Sequence, residues 1–198
     1  YVNKKYPIYI KANEVKQIEA AVSWSKRHSV NIVIVGGKDA WKTTDILAKN
    51  RIPVIYEGVT SIPMRRFEDY DQPYKTPYVL YESGVQFCIS SFGYAGSTEQ
   101  LRNLPYQASM AASYGLPKDV ALRAITLSVA EIIGVDKQIG SLDPGKDATL
   151  FISDGDPLEI RTNIIQAYIQ GREIDMKDRH KSLYSKFREK YRQLDILK

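Results

Sequence analysis

Four short apolar runs alternate along the chain with segments whose apolar residues recur at helical spacing. Val and Ile fill these runs almost continuously, which is typical of parallel strands covered on both faces. Alternation of such strands with helices predicts an α/β domain built on a parallel sheet. The predicted strands are Pro7 to Ile10, Asn31 to Val35, Pro53 to Tyr56, and Val85 to Ile89.

Capping residues and prolines predict where the intervening helices begin and end. Asn13 is expected to cap the first helix and Asp39 the second, whereas Pro77 is expected to start the third and Gly84 to end it. The connection from Ser61 to Lys75 is long enough to suspect a function. Further helices are predicted from Leu104 to Gly115, after Pro117, and from Ser128 to Gly134.

The segment that follows the helices changes to turns and short strands. Asp143-Pro144-Gly145 favours a turn, because Pro presets φ and Gly supplies a positive one. A strand is predicted from Ala148 to Ile152, and a second turn over 154–157. Asn163 to Ile169 followed by Gly171 to Ile174 predicts a hairpin. By themselves these residues are also compatible with any antiparallel edge structure.

The net charge of +5 is concentrated in the last segment, where residues 177–198 hold eight Lys or Arg against three acidic residues. Leu183, Phe187, Tyr191 and Leu194 share one face of a predicted amphipathic helix. Docking of this face onto the protein's own surface is the favoured interpretation. Binding to nucleic acid or to an anionic membrane surface is the alternative, and nothing else in the sequence strengthens the case for nucleic acid.

The composition is typical of a soluble globular chain, and the sequence shows no targeting signal. No apolar run approaches the ~20 residues of a membrane span, and the first residues lack an apolar signal region. Cys88 is the only cysteine, so no intrachain disulfide is expected, and its apolar surroundings predict a buried thiol. The compartment is undecided. Because Tyr1 is not a start methionine, we expect the chain to be a piece of a longer polypeptide.

The run from Ile139 to Phe151, followed by Asp154 to Leu158, resembles the carboxyl-terminal signature of the amidohydrolase superfamily, which includes imidazolonepropionase-like and prolidase-like hydrolases. The resemblance is densest from Gly84 to Glu173, and Gly36 to Lys42 also fits. It implies an α/β fold comprising the carboxyl-terminal half of a (β/α)8 TIM-type barrel, part of a small β-sandwich and a C-terminal helix. The corresponding domains are 1–138 for barrel strands five to eight, 139–176 for the sandwich segment and 177–198 for the basic amphipathic helix.

The same resemblance places metal ligands at positions where this chain has other residues. Hydrolases of this family hold one or two divalent metals, and three of the expected ligand positions are occupied by Lys11, Gly36 and Phe92. Glycine and phenylalanine have no donor atom, and a lysine binds metal only after losing its proton or becoming carboxylated. His28 and His180 are predicted to be surface histidines. This chain by itself is therefore not expected to bind a cofactor. Zinc, manganese or iron is expected only if a missing amino-terminal part supplies the ligands.

Other polar residues follow the predicted strands, where the reactive groups of a (β/α) barrel lie. They could bind a polar ligand, although Asp39 is more simply a helix cap, and Glu57 or Arg102 a solvated or paired charge. A serine hydrolase is not expected, because neither a Gly-x-Ser-x-Gly elbow nor a nearby histidine is present. The candidate ligand-binding residues are Lys11, Lys38, Glu57, Ser90, Ser91 and Arg102.

The resemblance to amidohydrolases, and the positions at which this chain lacks the expected metal ligands, lead to two hypotheses about function. In the first, the chain is part of a hydrolase that acts on non-peptide carbon-nitrogen bonds or dipeptide-like amides, and the catalytic groups lie largely outside this chain. The alternative is a metal-free pseudoenzyme, a ligand-binding protein or a partner subunit on the same fold. Half a barrel has unpaired strand edges, so the expected partner is the missing amino-terminal half or a second copy. A small-molecule amide is the expected substrate.

Overall fold

Four parallel strands form the central sheet of the computed structural model, which describes residues 6–91 and 101–194. Their spatial order is their chain order, and each pair of neighbours is parallel. The predicted parallel sheet is confirmed, with every strand beginning slightly further along the chain than its apolar run. The strands are β1 (Ile8–Ala12), β2 (Ile32–Gly36), β3 (Val54–Glu57) and β4 (Phe87–Ser90).

In the described part of the chain, six helices lie between these strands or between β4 and the second sheet. The helices predicted after Leu104, after Pro117 and before Gly134 are confirmed, and Gly134 ends the last one at φ +79°. A short 3-10 turn over Ala40–Lys42 precedes the second helix. The helices are α1 (Val15–His28), α2 (Thr44–Lys49), α3 (Gln72–Glu82), α4 (Leu104–Ser113), α5 (Lys118–Ala124) and α6 (Leu127–Ile133).

The predicted start of α3 at Pro77 is wrong, since α3 begins at Gln72 and Pro77 lies inside it. A proline inside a helix leaves the carbonyl four residues earlier without its N–H donor. That carbonyl belongs to Pro73, and it accepts a hydrogen bond from the Tyr56 hydroxyl at 3.0 Å. Tyr56 is almost fully buried, and burial raises its pKa above the ordinary tyrosine value. A tertiary contact from β3 therefore compensates for the proline.

The predicted cap of α1 is also wrong, because Glu14 takes the cap position and Asn13 precedes it. The Gln17 side chain reaches back to accept hydrogen bonds from the N–H groups of Glu14, at 3.2 Å, and Asn13, at 2.9 Å. This is a capping-box arrangement. Asn13 instead packs against the end of β2, as described below.

The two faces of the sheet are covered differently. One face packs against the helices and forms the main core, which includes Ile34, Tyr56 and Ile89. On the other face, Val33 and Cys88 pack against α6 in a second, smaller cluster. Cys88 is buried, so the predicted buried thiol is confirmed, and this burial raises its pKa to about 12.

A second sheet contains β5 (Leu150–Ser153), β6 (Ile164–Ile169) and β7 (Arg172–Glu173), all antiparallel. It confirms the predicted strand and hairpin. The turn before β5 is closed by a hydrogen bond from the Lys146 N–H to the Asp143 carbonyl at 3.3 Å. Gly145, at φ +94°, supplies the backbone conformation that other residues avoid. The assignment of this sheet to a β-sandwich stays a prediction.

The last helix, α7 (Arg179–Gln193), confirms the predicted amphipathic element but not its expected docking. None of its residues is buried, so its apolar face is not packed into the core. Across residues 6–91 and 101–194, no helix is long and apolar enough to cross a membrane.

Candidate functional site

Lys11, Glu57 and Ser90 lie on one face of the sheet at the carboxyl ends of their strands. Lys11 is level with Val35 and Ile55 in neighbouring strands, and alternation places Glu57 on the same face as Ile55. Glu57 is in turn paired in register with Ser90. This is the face opposite the main core.

The Lys11 ammonium and the Glu57 carboxylate form an ion pair across β2. The intervening strand places Val35 level with Lys11, then ends in Gly36 and is followed by Gly37, neither of which has a side chain. The Lys11 side chain is 53% exposed and that of Glu57 is 13% exposed. The pair therefore offers an accessible ammonium held by a shielded carboxylate, and the interpretation of Glu57 as a paired charge is confirmed.

The other predicted ligand-binding residues lie elsewhere. Lys38 lines a small pocket beside Trp41 and Tyr56. Ser91 is buried, and its hydroxyl has no hydrogen-bond partner among the described residues. Arg102 is exposed just before α4. The grouping of all six residues as one ligand site therefore stays a prediction.

A cluster of charges that the sequence did not reveal joins the loops at the carboxyl edge of the sheet. Arg65 donates two hydrogen bonds to the buried Asp39 carboxylate, at 2.8 and 2.7 Å, and a third to Glu68 at 2.7 Å. Lys42 donates to Glu68 at 2.9 Å and lies 3.4 Å from Asp39. We call Asp39, Lys42, Arg65 and Glu68 the edge cluster.

Charge pairing dominates the protonation of this cluster. Burial would raise the pKa of Asp39, but hydrogen bonds from Arg65 and the nearby charge of Lys42 outweigh it and hold that pKa below its usual range. Burial likewise opposes ionisation of Glu68, yet hydrogen bonds from Lys42 and Arg65 lower its pKa. The hydrogen bond to Asp39 raises the pKa of Arg65. Asp39, Glu68 and Arg65 are therefore charged at neutral pH.

The predicted role of Asp39 as a side-chain cap of its own helix is wrong. Its side chain makes no such cap, and instead accepts the N–H of Val15 at the start of α1, at 3.3 Å. Asp39 thus ties α1 to the connection between β3 and α3, where Arg65 lies. The only sequence signal for this arrangement is the length of that connection. Contacts between residues so far apart in the chain cannot be predicted from their spacing.

The side chains present do not fit the metal site that the resemblance implies. Among residues 6–91 and 101–194, no group of three or more His, Cys, Asp or Glu could hold a metal ion. Lys11 is paired with Glu57, and Phe92 lies outside the described residues. His28 contacts Trp24 in a tilted ring arrangement at the end of α1, and His180 is exposed on α7.

Gly36, at another expected ligand position, is held as glycine by its surroundings. Its φ is +99°, and a Cβ placed there would lie 2.4 Å from Asn13 Oδ1. That oxygen is buried and has no hydrogen-bond partner among the described residues. Substitution by histidine would therefore require the Asn13 side chain to move, in addition to the strain of a positive φ.

A cavity of about 600 Å³ with a mainly apolar lining lies between α5, α6 and β5. Val129 and Ile133 of α6 line it on one side, and Phe151 of β5 lines it on another. It is separate from the edge cluster and the Lys11–Glu57 pair, neither of which contributes to its wall.

Comparison with known proteins identifies the family. The amidohydrolase family model matches residues 80–177. These residues belong to the amidohydrolase family. Amidohydrolase tasK of Hapsidospora irregularis is 32% identical over 65 residues, which are 33% of this chain and 7% of that protein.

Solved structures support the same assignment. An amidohydrolase from Thermotoga maritima has a TM-score of 0.75 and 26% identity, covering 86% of this chain and 44% of that one. A prolidase solved with N-methylphosphonate-L-proline shares the fold, with a TM-score of 0.61 and 16% identity over 87% of this chain and 45% of its own. This chain thus spans less than half the length of these proteins and corresponds to a carboxyl-terminal portion of them. Amidohydrolases usually use a divalent metal, but no metal site is evident in the described residues.

Substitution of Gly36 by Ala should destabilise the protein more than the same change at Gly84. Both glycines have positive φ, but a Cβ at Gly84 meets nothing within 4 Å. We expect Gly84→Ala to cost about 1 kcal/mol for backbone strain alone, and Gly36→Ala at least about 2 kcal/mol because of the clash with Asn13. Denaturant unfolding measures both. Equal costs would show that the Asn13 side chain makes room for a Cβ at this position.

Substitution of Asp39 by Asn should reduce both the stability of the protein and the dependence of that stability on pH. We expect a loss of about 2 kcal/mol at neutral pH, because Arg65 loses a buried charged partner. The folded-state pKa values of Asp39 and Glu68 are lowered, so their contribution is present above the unfolded values near ~4 and is lost as pH falls below them. The wild type should therefore lose more stability between about pH 5 and pH 3 than Asp39→Asn.

Asp45→Asn is the matched control, because Asp45 is exposed in the first turn of α2. It should shift the unfolding midpoint only slightly. A loss as large as that of Asp39→Asn, or parallel pH profiles for wild type and Asp39→Asn, would contradict the role given to the edge cluster.

Proposed function

We propose that this chain supplies one half of the barrel, and part of the pocket wall, of an amidohydrolase-like hydrolase whose catalytic groups lie largely outside it. The substrate class would be non-peptide carbon-nitrogen bonds or dipeptide-like amides. The observation that carries this proposal is the family match over residues 80–177 together with strand carboxyl ends that present Lys11 and Glu57 on an open face. Reactive groups of barrel enzymes lie at that end of the strands.

The proposed half barrel is supported by the order of its strands. A barrel closes when parallel strands follow one another around an axis, and β1 to β4 are adjacent in chain order. β1 and β4 each have one neighbour in this sheet. Tyr9, on the face away from the main core, is 45% exposed. An amino-terminal half or a second copy would pair with the edge strands and cover Tyr9.

In this arrangement Lys11 and Glu57 would bind and orient substrate. The Lys11 ammonium can donate to a carboxylate or carbonyl oxygen, while Glu57 keeps it in place. Ser90, adjacent to Glu57, offers a hydroxyl at the same edge. A divalent metal would require ligands from outside this chain, so we assign it no step here.

A second candidate function, a metal-free ligand-binding protein or partner subunit, is favoured by one specific observation. Lys11 stands at an expected metal-ligand position and is engaged by Glu57, while Gly36 in the neighbouring strand has a positive φ and lies close to the Asn13 side chain, which disfavours a ligand side chain there. A positive charge fixed at that point opposes the binding of a cation.

Light scattering of the isolated chain tests the need for a partner. Because open strand edges and an uncovered apolar cavity favour association, we expect a mass larger than that of one chain. Addition of an amino-terminal half should convert this material to a defined complex. A well-folded monomer with a sharp unfolding transition would contradict the half-barrel assignment.

Metal analysis and amide hydrolysis, measured on the chain combined with an amino-terminal half, distinguish the two functions. The hydrolase proposal predicts stoichiometric zinc, manganese or iron and turnover of dipeptide-like amides. Lys11→Met should then raise KM about tenfold with a smaller change in kcat, since it removes substrate binding rather than chemistry. Lys16→Met, at an exposed position of α1, is the matched control. A folded, metal-free complex without turnover would overturn the hydrolase proposal and support the second candidate.

A further inference from the structure

The last helix carries an apolar face that nothing in the core covers. Leu183 and Phe187 are 40% and 45% exposed, and Tyr191 and Leu194 are 41% and 57% exposed. Tyr184, beside them, is 66% exposed. At about 100° per residue, these side chains fall within one arc of about 100° around the helix, together with His180. The helix therefore presents a continuous apolar stripe to its surroundings.

Cationic side chains border this stripe on both sides. Six basic residues flank the arc, whereas Glu189 lies on the opposite side of the helix. Two of these cations make ion pairs only at 4.0 Å, Lys181 with Asp178 and Arg192 with Glu189, and all four side chains are more than half exposed. Arg179, Lys186 and Lys190 lie on one flank, and Lys181, Arg188 and Arg192 on the other.

We propose that α7 is a membrane-surface helix that lies flat on a bilayer containing anionic lipid. Its apolar stripe would enter the boundary between headgroups and acyl chains, while the flanking Lys and Arg side chains extend to the lipid phosphates and carboxylates. Tyr184 and Tyr191 suit that boundary, because each combines an apolar ring with a polar hydroxyl. A helix of this length, about 22 Å, lies along the surface and does not cross the bilayer.

Charge and apolarity together favour this partner over the alternatives. A nucleic acid would use the cations but leave Leu183, Phe187 and Leu194 in water. A second α7 would cover the apolar stripe but bring like charges on the flanks together. The basic excess is also local, since the net charge of +5 resides in the segment from residue 177 onward. An anionic bilayer satisfies both features, and this inference does not depend on the proposed hydrolase function.

Vesicle co-sedimentation of the full chain tests the proposal. We expect at least about tenfold stronger binding to phosphatidylserine–phosphatidylcholine vesicles than to phosphatidylcholine alone, with the difference reduced by high salt. The double variant Leu183→Ser, Phe187→Ser should lose about tenfold or more of its binding to the anionic vesicles. The double variant Lys186→Glu, Arg188→Glu should lose the preference for anionic lipid.

The matched control is Ser185→Asn, Gln193→Ser, because both positions lie on the polar side of α7. It should bind like the wild type, and circular dichroism of each variant checks that the fold is retained. Failure of the wild-type chain to sediment with anionic vesicles overturns the proposal, as does equal binding by all three double variants. Binding to polyuridylate that survives Leu183→Ser, Phe187→Ser would indicate a nucleic-acid surface instead. If the wild-type chain self-associates without vesicles and Leu183→Ser, Phe187→Ser abolishes this association, the partner of α7 is a second copy of the chain.

Discussion

A carboxylate buried at the edge of the parallel sheet governs how the surrounding loops are arranged. Asp39 is 1% exposed, and a charge so enclosed must be paired to remain ionised. Arg65 supplies a two-point contact from the β3–α3 connection, and the Val15 N–H supplies another from the start of α1. Three consecutive strand-to-helix connections are thus held together by one side chain.

The edge cluster stands beside the open face on which Lys11 and Glu57 lie. Connections at the carboxyl end of parallel strands are where barrel proteins build their sites, so their fixed position defines one side of the proposed pocket. The same edge also holds Gly36, where a positive φ and the nearby Asn13 side chain disfavour any residue other than glycine.

Elements with strong local signals were predicted correctly. The apolar runs predicted the four parallel strands, because continuous runs of Val and Ile that alternate with helices are typical of strands buried on both faces. The Asp143-Pro144-Gly145 turn and the hairpin of β6 and β7 were likewise set by local turn chemistry. Pro77 misled for a physical reason: Tyr56, from a strand far along the chain, satisfies the carbonyl that a proline leaves free.

The candidate site was predicted only in part. Lys11, Glu57 and Ser90 follow strands and were identified by that position, whereas Arg65 and Glu68 lie in an irregular connection with no periodic pattern. Their partner Asp39 looked like an ordinary helix cap, since an Asp before a helix usually is one. Pairing between residues distant in sequence depends on how loops fold back, and one sequence does not encode that in any spacing.

The sequence by itself determined the alternation of strands and helices, the family signature over the last third of the chain, and the amphipathic pattern of α7. It also determined which side chains stand at the expected metal positions, because those are matters of residue identity. Only the tertiary structure decided that Lys11 meets Glu57, that Asp39 pairs with Arg65, and that the apolar face of α7 is left uncovered. These outcomes depend on distances between separate elements, which packing of the whole domain sets and local preference does not.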